Sequence, residues 1–391
     1  MAVPPLILVV NPGSASRKYA LFEDSHSRAT LHFEFADDRV ICTLHKDGQQ
    51  QSVPIDLHDL DAAAGQVEPI LRDHGILRDG EKIERVGLRV VAPSSYFLED
   101  HVIDDEVVSR LEAIMSHAPL HIAATLAELN NVRTHFKDAT VYGISDSAFH
   151  ITKPDYAWNY GLPIEDSDRL EIKRYGYHGL SAAATVNVLQ KAEKLPRKLV
   201  ICHLGSGASV TAVHNGKSID TTMGYSPLEG LVMSTRCGTI DPTAVRVIKE
   251  TFHFDDNAIE QYLNNHSGLL GLGGSSDIRE LLRREADGDH RASLALRIYV
   301  HSVQKAIGQM TAALGGLDML VFTATVGERS TPIRERVCRN LHYLDIFLDD
   351  GANQSCEEPE NITCISRLTH SRPVYVVPAD EAGEMARRID K

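Results

Sequence analysis

Short apolar runs that end in glycine- and serine-rich turns set the pattern of hydrophobic positions along the chain. Residues 6–11 form the first run, the turn 12–16 ends it, and residues 18–22 resume with strand-forming side chains. Two such runs joined by a Gly/Ser turn predict a β-hairpin. The chain therefore opens with two predicted antiparallel strands.

The same arrangement returns in the middle of the chain. Apolar residues 199–203 and 209–213 flank a second Gly/Ser turn at 204–208, and Asn215-Gly216 then indicates a type I′ hairpin. The segment Val-Val-Asn-Pro-Gly-Ser-Ala-Ser of the first hairpin aligns with Ile-Cys-His-Leu-Gly-Ser-Gly-Ala-Ser of the second. We interpret this as one domain plan that occurs twice, with copies that begin near residues 6 and 198.

Predicted helices alternate with the remaining apolar strands. Strand-like runs at 319–323 and 373–377 are each followed by a helical pattern. Further helical patterns cover 104–115, 122–132, 180–195 and 292–314, whereas 349–361 is predicted to be a solvated loop. This alternation predicts an α/β protein.

Composition and charge narrow the class of protein. The 391 residues carry 40 Lys and Arg against 54 Asp and Glu, a formal net charge of −14, which argues against a nucleic-acid-binding protein. The apolar stretches fall short of the roughly 20 residues that a membrane helix needs, and the N-terminus does not resemble a secretory signal. Six scattered cysteines without a C-x-x-C pair are expected to be reduced thiols. We therefore expect a cytoplasmic protein without nucleic-acid or membrane partners.

The two Gly/Ser turns are candidates for phosphate binding, because backbone N–H groups beside glycine are open to close approach. One such turn alone is more often a plain hairpin, but two copies and Gly327 after a third strand favour phosphate binding. Beside the first turn, the Asn11 amide is a candidate for holding a metal-bound water, and the Lys18 ammonium is a candidate for contacting a phosphate oxygen. The alternative is that Asn11 caps the turn and Lys18 is solvated. Glu381 offers an oxygen ligand that suits Mg²⁺, or is a first-turn Glu that the helix dipole favours.

Four more polar residues stand at informative positions. Arg89 is a charge inside an apolar strand and Arg236 lies in a polar loop, so that each binds an anion or makes an internal salt bridge. Asp146 directly follows a predicted strand, as catalytic carboxylates often do in α/β sheets, or it pairs with an arginine. His178 lies in Tyr-Gly-Tyr-His-Gly, where the glycines free the backbone.

A pair of histidines has the spacing of zinc ligands. His117 and His121 are four residues apart, but Pro119 breaks the helix that would place both on one face. We therefore expect no zinc site, and we interpret His121 as a polar group at a cleft near Leu120.

Longer segments together identify a family. They are Asn11-Pro-Gly-Ser-Ala-Ser-Arg-Lys-Tyr, Ala118-Pro-Leu-His121, Tyr175-Gly-Tyr-His-Gly, His203-Leu-Gly-Ser-Gly-Ala-Ser, Asp220-Thr-Thr-Met-Gly-Tyr-Ser-Pro-Leu-Glu-Gly230 and Ser267-Gly-Leu-Leu-Gly271. Through them, almost the whole chain resembles acetate kinases and related short-chain acyl kinases of the actin/sugar-kinase/Hsp70 superfamily. The resemblance implies two duplicated ribonuclease-H-like (actin-like ATPase) domains with a cleft between them. The first is expected to span 1–150 plus 376–391 and the second 151–375, since Glu381 is needed beside Asn11.

The resemblance also implies roles for individual residues. The catalytic residues would be Asp146, His178, Arg236 and Arg89. The substrate carboxylate and its alkyl end would be bound by Arg89, Val91, Leu120, His121, Tyr177 and Pro227. ATP would be bound by Lys18, His203, Leu204, Gly205, Ser206, Gly207, Asp277, Ile278, Arg279, Thr325, Val326, Gly327, Glu328 and Arg329. Mg²⁺, or Mn²⁺ in its place, would be bound by Asn11 and Glu381.

The implied activity is reversible in-line transfer of the γ-phosphoryl group of ATP to acetate, which gives acetyl phosphate and ADP. The alternatives are a propionate- or butyrate-type acyl kinase and a regulatory homologue that binds nucleotide but has weakened catalysis. A homodimer is implied by the resemblance alone.

This chain departs from the family pattern beside several site residues. Leu88-Arg-Val-Val-Ala-Pro-Ser94 stands where the family usually has His-Arg-Val-Val-His-Gly-Gly, so we expect a reshaped acyl pocket. Elsewhere Ile122, Leu180 and Ser206 replace Asn, Thr and Asn, Thr325-Val326 replace Gly-Ile, and Arg329 replaces Asn. If the replaced glycine had a positive φ, Thr325 would force a local rearrangement. Because the charged site residues remain, we expect altered specificity rather than lost catalysis.

Overall fold

The protein consists of two sheets with helices packed against them. The computed structural model describes residues 5–13, 16–24, 26–36, 39–115 and 119–390, and of residues 36 and 119–121 only the backbone is described. The strands are β1 Leu6–Pro12, β2 Ser16–Glu23, β3 His26–Ala36, β4 Arg39–Lys46, β5 Gln49–Val53, β6 Ile83–Val90, β7 His101–Val102, β8 Thr140–Ser145, β9 Lys198–Leu204, β10 Ala208–His214, β11 Lys217–Thr221, β12 Met319–Thr323, β13 Thr363–Cys364 and β14 Val374–Val376.

The α-helices lie between these strands and after the final one. They are α1 Ala64–Asp73, α2 Asp105–Ala113, α3 Pro119–His135, α4 Asp155–Trp158, α5 Ile164–Arg169, α6 Gly179–Lys191, α7 Pro242–Phe252, α8 Asp256–Asn265, α9 Gly268–Gly273, α10 Ile278–Ala286, α11 His290–Leu314, α12 Ala324–Arg329, α13 Thr331–Cys338, α14 Asp350–Gln354 and α15 Glu381–Ile389. Within the described ranges, no helix combines the length and apolar character that a membrane span requires.

The chain divides into two compact units. The first consists of Met1–Ala148 with Asp380–Lys391, and the second of Phe149–Ala379. Strand β14 and the residues up to Ala379 thus belong to the second unit, whereas the boundary predicted from the sequence assigned 376–379 to the first.

The sheet of the first unit has the order β5-β4-β3-β2-β1-β6-β8-β7. Its central strands β1, β6 and β8 run parallel, and the flanking pairs are antiparallel. The apolar run that the sequence places at the start of the chain forms the buried strand β1, in which Leu6 to Val10 are all buried. Their neighbours in the core come from β2–β6 and from α1, α2 and α3.

The sheet of the second unit repeats this plan in the order β11-β10-β9-β12-β14-β13. Strands β9, β12 and β14 run parallel, and β10, β11 and β13 pair antiparallel with their neighbours. The order β3-β2-β1-β6-β8-β7 therefore matches β11-β10-β9-β12-β14-β13 strand by strand and direction by direction. The duplication and the α/β class predicted from the sequence are confirmed.

Strand β9 is buried on both faces, which explains its continuous apolar sequence. Leu199 and Ile201 pack with Leu189 of α6. Cys202 alternates to the other face, and α11, which contains the buried Tyr299, packs against β9. Both helices are thus held against the second sheet by the burial of apolar surface.

The hairpin between β10 and β11 has the predicted turn. Asn215 has φ 50° and Gly216 has φ 77°, and a type I′ turn requires positive φ at both central positions. The strand pair closes at His214 and Lys217, so that this sequence signal is confirmed.

The solvated loop predicted at 349–361 is wrong in part, because α14 lies within it. Asp349 caps this helix by accepting a hydrogen bond from Ala352 N at 2.8 Å. Asn353 at its end is 3% exposed and accepts a hydrogen bond from Arg334. Most of the other residues in this segment are exposed, so the prediction of a solvated segment is confirmed and only the absence of a helix was wrong.

Helix α15 completes the first unit from the far end of the chain. Gly87 in β6 allows the close approach of α15, because a Cβ there would lie 2.3 Å from Ile389 Cδ1. Arg388 anchors the helix by donating to Ser145 O at 3.1 Å and to Asp100 Oδ2 at 2.7 Å. This packing brings Glu381 into the unit that contains β1.

Candidate functional site

The first unit gathers predicted site residues at the carboxyl ends of its parallel strands. Asn11 lies in β1, Arg89 in β6, and Asp146 directly after β8, and these three strands are adjacent in the sheet. Ligands of open α/β sheets bind at this edge. The parallel pairing of β1, β6 and β8 therefore brings together three residues that are far apart in sequence.

Arg89 is the centre of this group. Its Nη2 donates to Asp146 Oδ2 at 2.9 Å, its Nη1 donates to Asn11 Oδ1 at 3.2 Å, and Nη1 lies 3.9 Å from Glu381 Oε2. Burial lowers the pKa of the Arg89 guanidinium, but Asp146 and Glu381 outweigh burial and hold the pKa above its usual value. The internal ion pair, left open as an alternative for Arg89 and Asp146, is present, and it fixes the guanidinium in one orientation.

Asn11 and Glu381 meet as the resemblance implied. Asn11 Nδ2 donates to Glu381 Oε2 at 3.4 Å, and Glu381 is the first residue of α15, whose N-cap is Asp380. The described residues contain no group of three or more His, Cys, Asp or Glu that could hold a metal. One carboxylate and one amide oxygen fit Mg²⁺, which takes its remaining ligands from water and substrate phosphates. Lys18 lies opposite Asn11 in the β1–β2 pair and is exposed.

The second unit forms its group around the hairpin turn between β9 and β10. Gly205 N donates to Gly207 O at 2.9 Å, and Ser206 is exposed at the tip, whereas Leu204 is fully buried. Strand β12 runs parallel beside β9, so α12 begins near this turn: a Cβ on Gly205 would lie 3.7 Å from Ala324 Cβ. The two segments predicted to bind phosphate in this unit are therefore neighbours.

Two histidines stack beside this turn. His178 occupies the N-cap position of α6 with φ 58° but makes no side-chain capping hydrogen bond, and its ring lies 4.0 Å from that of His203, centroid to centroid. His178 Nδ1 is 3.0 Å from Ser209 Oγ, and His203 Nδ1 is 2.8 Å from Ser181 Oγ. Both serines orient a candidate site residue, and the sequence analysis missed them because a serine inside a strand or helix carries no distinctive pattern.

Gly207 is where the second group converges. A Cβ at this position would lie 3.1 Å from His178 Nε2 and 3.5 Å from Arg236 Nη1. Arg236 Nη1 also lies 3.4 Å from Pro227 O. An imidazole and a guanidinium that approach a Gly/Ser turn can stabilise negative charge that develops on a phosphoryl group.

The residues implied to surround an alkyl group are placed as follows. Tyr177 is 1% exposed and donates through its hydroxyl to Tyr225 O at 2.6 Å, so its ring is the part left for apolar contact. Pro227 is buried and Val91, after β6, is half-buried. The side chains of Leu120 and His121 lie outside the described residues, as does His117.

The segment implied to bind the nucleoside begins α10. Asp277 caps this helix by accepting from Arg279 N at 2.8 Å and also pairs with the Arg279 guanidinium at 2.7 Å. The side-chain hydrogen bond from Arg279 is the main cause of the lowered pKa of Asp277. Ile278 is 5% exposed and packs in the core. The polar groups of Asp277 and Arg279 are thus engaged with each other.

The other implied nucleotide segment, Thr325 to Arg329, forms most of α12. The positive φ occurs at Ala324, with φ 66°, and Thr325 is not among the residues with positive φ. Thr325 itself therefore has no positive-φ strain in this backbone. Arg329 forms an ion pair with Glu358, and Glu328 Oε1 accepts from Ala379 N at 2.9 Å. Val326 and Gly327 lie between Thr325 and the two anchored residues, Glu328 and Arg329.

A buried arginine that the sequence analysis missed supports the first Gly/Ser turn. Arg17 is 5% exposed; it donates to Gly13 O and lies 3.2 Å from Glu128 Oε2 and 3.1 Å from Asp61 Oδ1. Tyr19 donates to Glu128 Oε1 at 2.6 Å. The sequence did contain a signal for Arg17. Side chains alternate between the two faces of a strand, so Arg17 lies on the same inward face of β2 as Tyr19, and a charge on that face needs a partner.

Comparison with known proteins identifies the family. The model of the acetokinase family matches residues 6–387. An acetate kinase of Clostridium novyi is 36% identical over 392 residues, which cover 97% of this chain and 96% of the relative. Crystal structures of a Francisella tularensis propionate kinase (TM-score 0.89) and of Porphyromonas gingivalis acetate kinase (TM-score 0.85) are each 31% identical, with 98% of both chains covered. The two sheets therefore form the two-domain actin-like ATPase fold, and the chain belongs to the acetokinase family.

Proposed function

We propose that this protein is an acetate kinase that transfers the γ-phosphoryl group of ATP to acetate and catalyses the reverse reaction. The observation that carries the proposal is the convergence of His178 Nε2 and Arg236 Nη1 on Gly207 in a member of this family. Phosphoryl transfer requires chiefly positioning and neutralisation of charge. Two cationic or hydrogen-bonding groups at a phosphate-binding turn meet that requirement.

The carboxylate substrate is assigned to Arg89. A carboxylate oxygen of acetate attacks the γ-phosphorus, the bond from that phosphorus to the β,γ-bridging oxygen breaks, and ADP leaves with the electron pair. Asp146 holds the Arg89 guanidinium at 2.9 Å and keeps it oriented for this contact. His178 and Arg236 stabilise the transferring group, and no covalent enzyme intermediate is needed.

Nucleotide and metal are assigned to the remaining residues. Lys18 and the turn from His203 to Gly207 would contact phosphates, and Asp277 to Arg279 with Thr325 to Arg329 would surround the nucleoside. Asn11 and Glu381 would hold Mg²⁺, which would supply positive charge to phosphate oxygens. The side chain of Ile278 is buried, so its contribution would come from the backbone.

Acetate is proposed as the substrate, ahead of longer acids, because relatives of 36 to 37% identity are acetate kinases. The retained cations Arg89 and Arg236 argue against a regulatory homologue without turnover. Because the residues after Arg89 differ from the family pattern, propionate and butyrate belong in the substrate panel.

The test is acyl phosphate formation, measured as hydroxamate with each acid, for wild type, Arg89→Ala and Arg236→Ala. We expect acetate to be the best substrate and each variant to lose roughly 10²–10³-fold in kcat. Arg169→Ala is the matched control, because Arg169 is 73% exposed and pairs only across one helical turn. Wild-type rates in both variants, or ATP binding without transfer to any acid, would contradict the proposal.

We also propose that the protein forms a homodimer through α7. Helix α7 has no buried residue, and it exposes Val247 and Phe252 by 51% and 57%. Apolar side chains on an amphipathic helix normally face a partner. Light scattering should show a dimer for wild type and a monomer for Val247→Glu/Phe252→Glu; a monomeric wild type or a dimeric variant would refute the α7 interface.

A further inference from the structure

Arg334 is the largest fully buried side chain of the described protein, with 0% exposure. It lies in α13, one turn after the segment Thr325 to Arg329. All five of its N–H groups have acceptors: Nε donates to Asn353 Oδ1 at 2.8 Å, Nη1 to Gly327 O at 2.9 Å and Glu328 O at 2.7 Å, and Nη2 to Asn353 O at 3.0 Å and Cys356 O at 2.5 Å.

These contacts join two pieces of backbone. Gly327 O and Glu328 O belong to the last turn of α12, where helix carbonyls have no partner within the helix. A cation at this end is also favoured by the helix dipole. Asn353 and Cys356 lie at and just after the end of α14. Arg334 thus ties the end of α12 to the segment that carries Glu358, the ion-pair partner of Arg329.

The acceptors of Arg334 are neutral, since they are four carbonyls and one amide oxygen. A buried guanidinium in such a setting is costly unless every donor is satisfied. An apolar side chain of similar volume would leave these five acceptors without the donors that Arg334 supplies. The specific gain from the arginine is therefore the orientation of the carbonyls that it binds.

We propose that Arg334 is a positioning residue for nucleotide binding: it fixes the peptide groups of Gly327 and Glu328 and so sets the placement of α12. The inference rests on the assignment of Thr325 to Arg329 to the nucleotide. Glu328 and Arg329 are already anchored at their side chains by Ala379 and Glu358. Arg334 anchors the same residues through the backbone, from the buried side.

The experiment compares wild type with Arg334→Met and Arg334→Lys by steady-state kinetics and by calorimetric titration with ADP. We expect Arg334→Met to raise KM for ATP and Kd for ADP about tenfold or more, with KM for acetate changed less than about twofold. Lysine keeps the charge but has three donors on one atom and cannot reach both carbonyl pairs. Arg334→Lys should therefore restore less than half of the lost affinity.

Two further variants keep the test decisive. Arg372→Met is the matched control, because Arg372 also donates to backbone carbonyls of this unit, at Leu344 and Leu317, and should leave KM for ATP unchanged. If Arg334→Met does not fold, Asn353→Ala removes the acceptor of Nε, together with the 3.1 Å hydrogen bond from Asn353 Nδ2 to Thr331 O, and should raise Kd for ADP in the same direction. Equal changes in both KM values, or a lower Tm with ADP affinity intact, would overturn the inference. Weakened ADP binding in a protein that phosphorylates no acid would overturn the proposed function alone.

Discussion

Arg17 in the first unit and Arg334 in the second lie buried behind segments predicted to bind phosphate or nucleotide, and they are neutralised in different ways. Arg17 donates to the carbonyl of Gly13 and is paired with Glu128 and Asp61. Arg334 donates to four carbonyls and one amide oxygen. Both bind backbone carbonyls of a turn or helix end. Both arginines hold backbone carbonyls in place, but the charge of Arg17 is balanced by carboxylates, whereas Arg334 is stabilised by carbonyl and amide dipoles alone.

The largest effect is expected where the counter-ion is removed. Glu128→Leu leaves the half-exposed Asp61 as the remaining described ion-pair partner of the buried Arg17, and it leaves the Tyr19 hydroxyl without its acceptor. Breaking a buried pair in this way lowers the free energy of unfolding by about 3–5 kcal/mol. Urea denaturation measures this change. A loss below 1 kcal/mol would mean that Asp61 alone suffices, and the proposed contrast between the anchors would be wrong.

A smaller effect is expected in the second anchor. Asn353→Ala removes one neutral acceptor of Arg334, whose four other acceptors are main-chain carbonyls that the substitution retains. The substitution also removes the hydrogen bond from Asn353 Nδ2 to Thr331 O, and the two lost hydrogen bonds together are expected to lower the free energy of unfolding by about 1–3 kcal/mol. The same denaturation experiment should rank this variant above Glu128→Leu in stability, and Asn340→Ala, on the surface, serves as its control. The reverse ranking would show that the dipole-based anchor is the more fragile one.

The smallest expected effect is a difference in pH dependence. Burial raises the pKa of Glu128 above its ordinary value, although Tyr19 and Arg17 oppose the shift. A carboxyl with a raised folded pKa contributes stability that is complete below the unfolded pKa and is lost as pH rises through the folded pKa. The stability of wild type relative to Glu128→Gln should therefore increase from pH 7 to pH 5. For wild type relative to Asn353→Ala, no titrating group is removed, and the difference should stay constant.

Much of the fold follows from local sequence. Glycine and serine interrupt apolar runs at both hairpins, and Asn215-Gly216 has the conformation that its turn type requires. The repetition of this pattern was enough to predict that one domain plan occurs twice, and the two sheets have matching strand orders. Arg89 and Asp146 were found because charges at the ends of apolar strands stand out.

Other features depend on contacts between distant residues. Helix α14 was missed because Asn353 looks like a loop residue until Arg334 is packed against it. Arg334 itself left a signal: it precedes the buried Val337 and Cys338 by three and four residues, so it lies on an apolar helix face. An arginine at such a position needs acceptors, but the sequence does not identify which carbonyls supply them.

The packing of α15 against Gly87 sets an order of events during protein synthesis. Residues 381–389 leave the ribosome after the entire second unit, which is roughly 10 to 50 s after Ala148 at ordinary elongation rates. During that interval the nascent first unit lacks the helix that covers β6 and the carboxylate of Glu381. The N-terminal half is thus made first but completed last, since α15 reaches β6 only after synthesis of the second unit has ended.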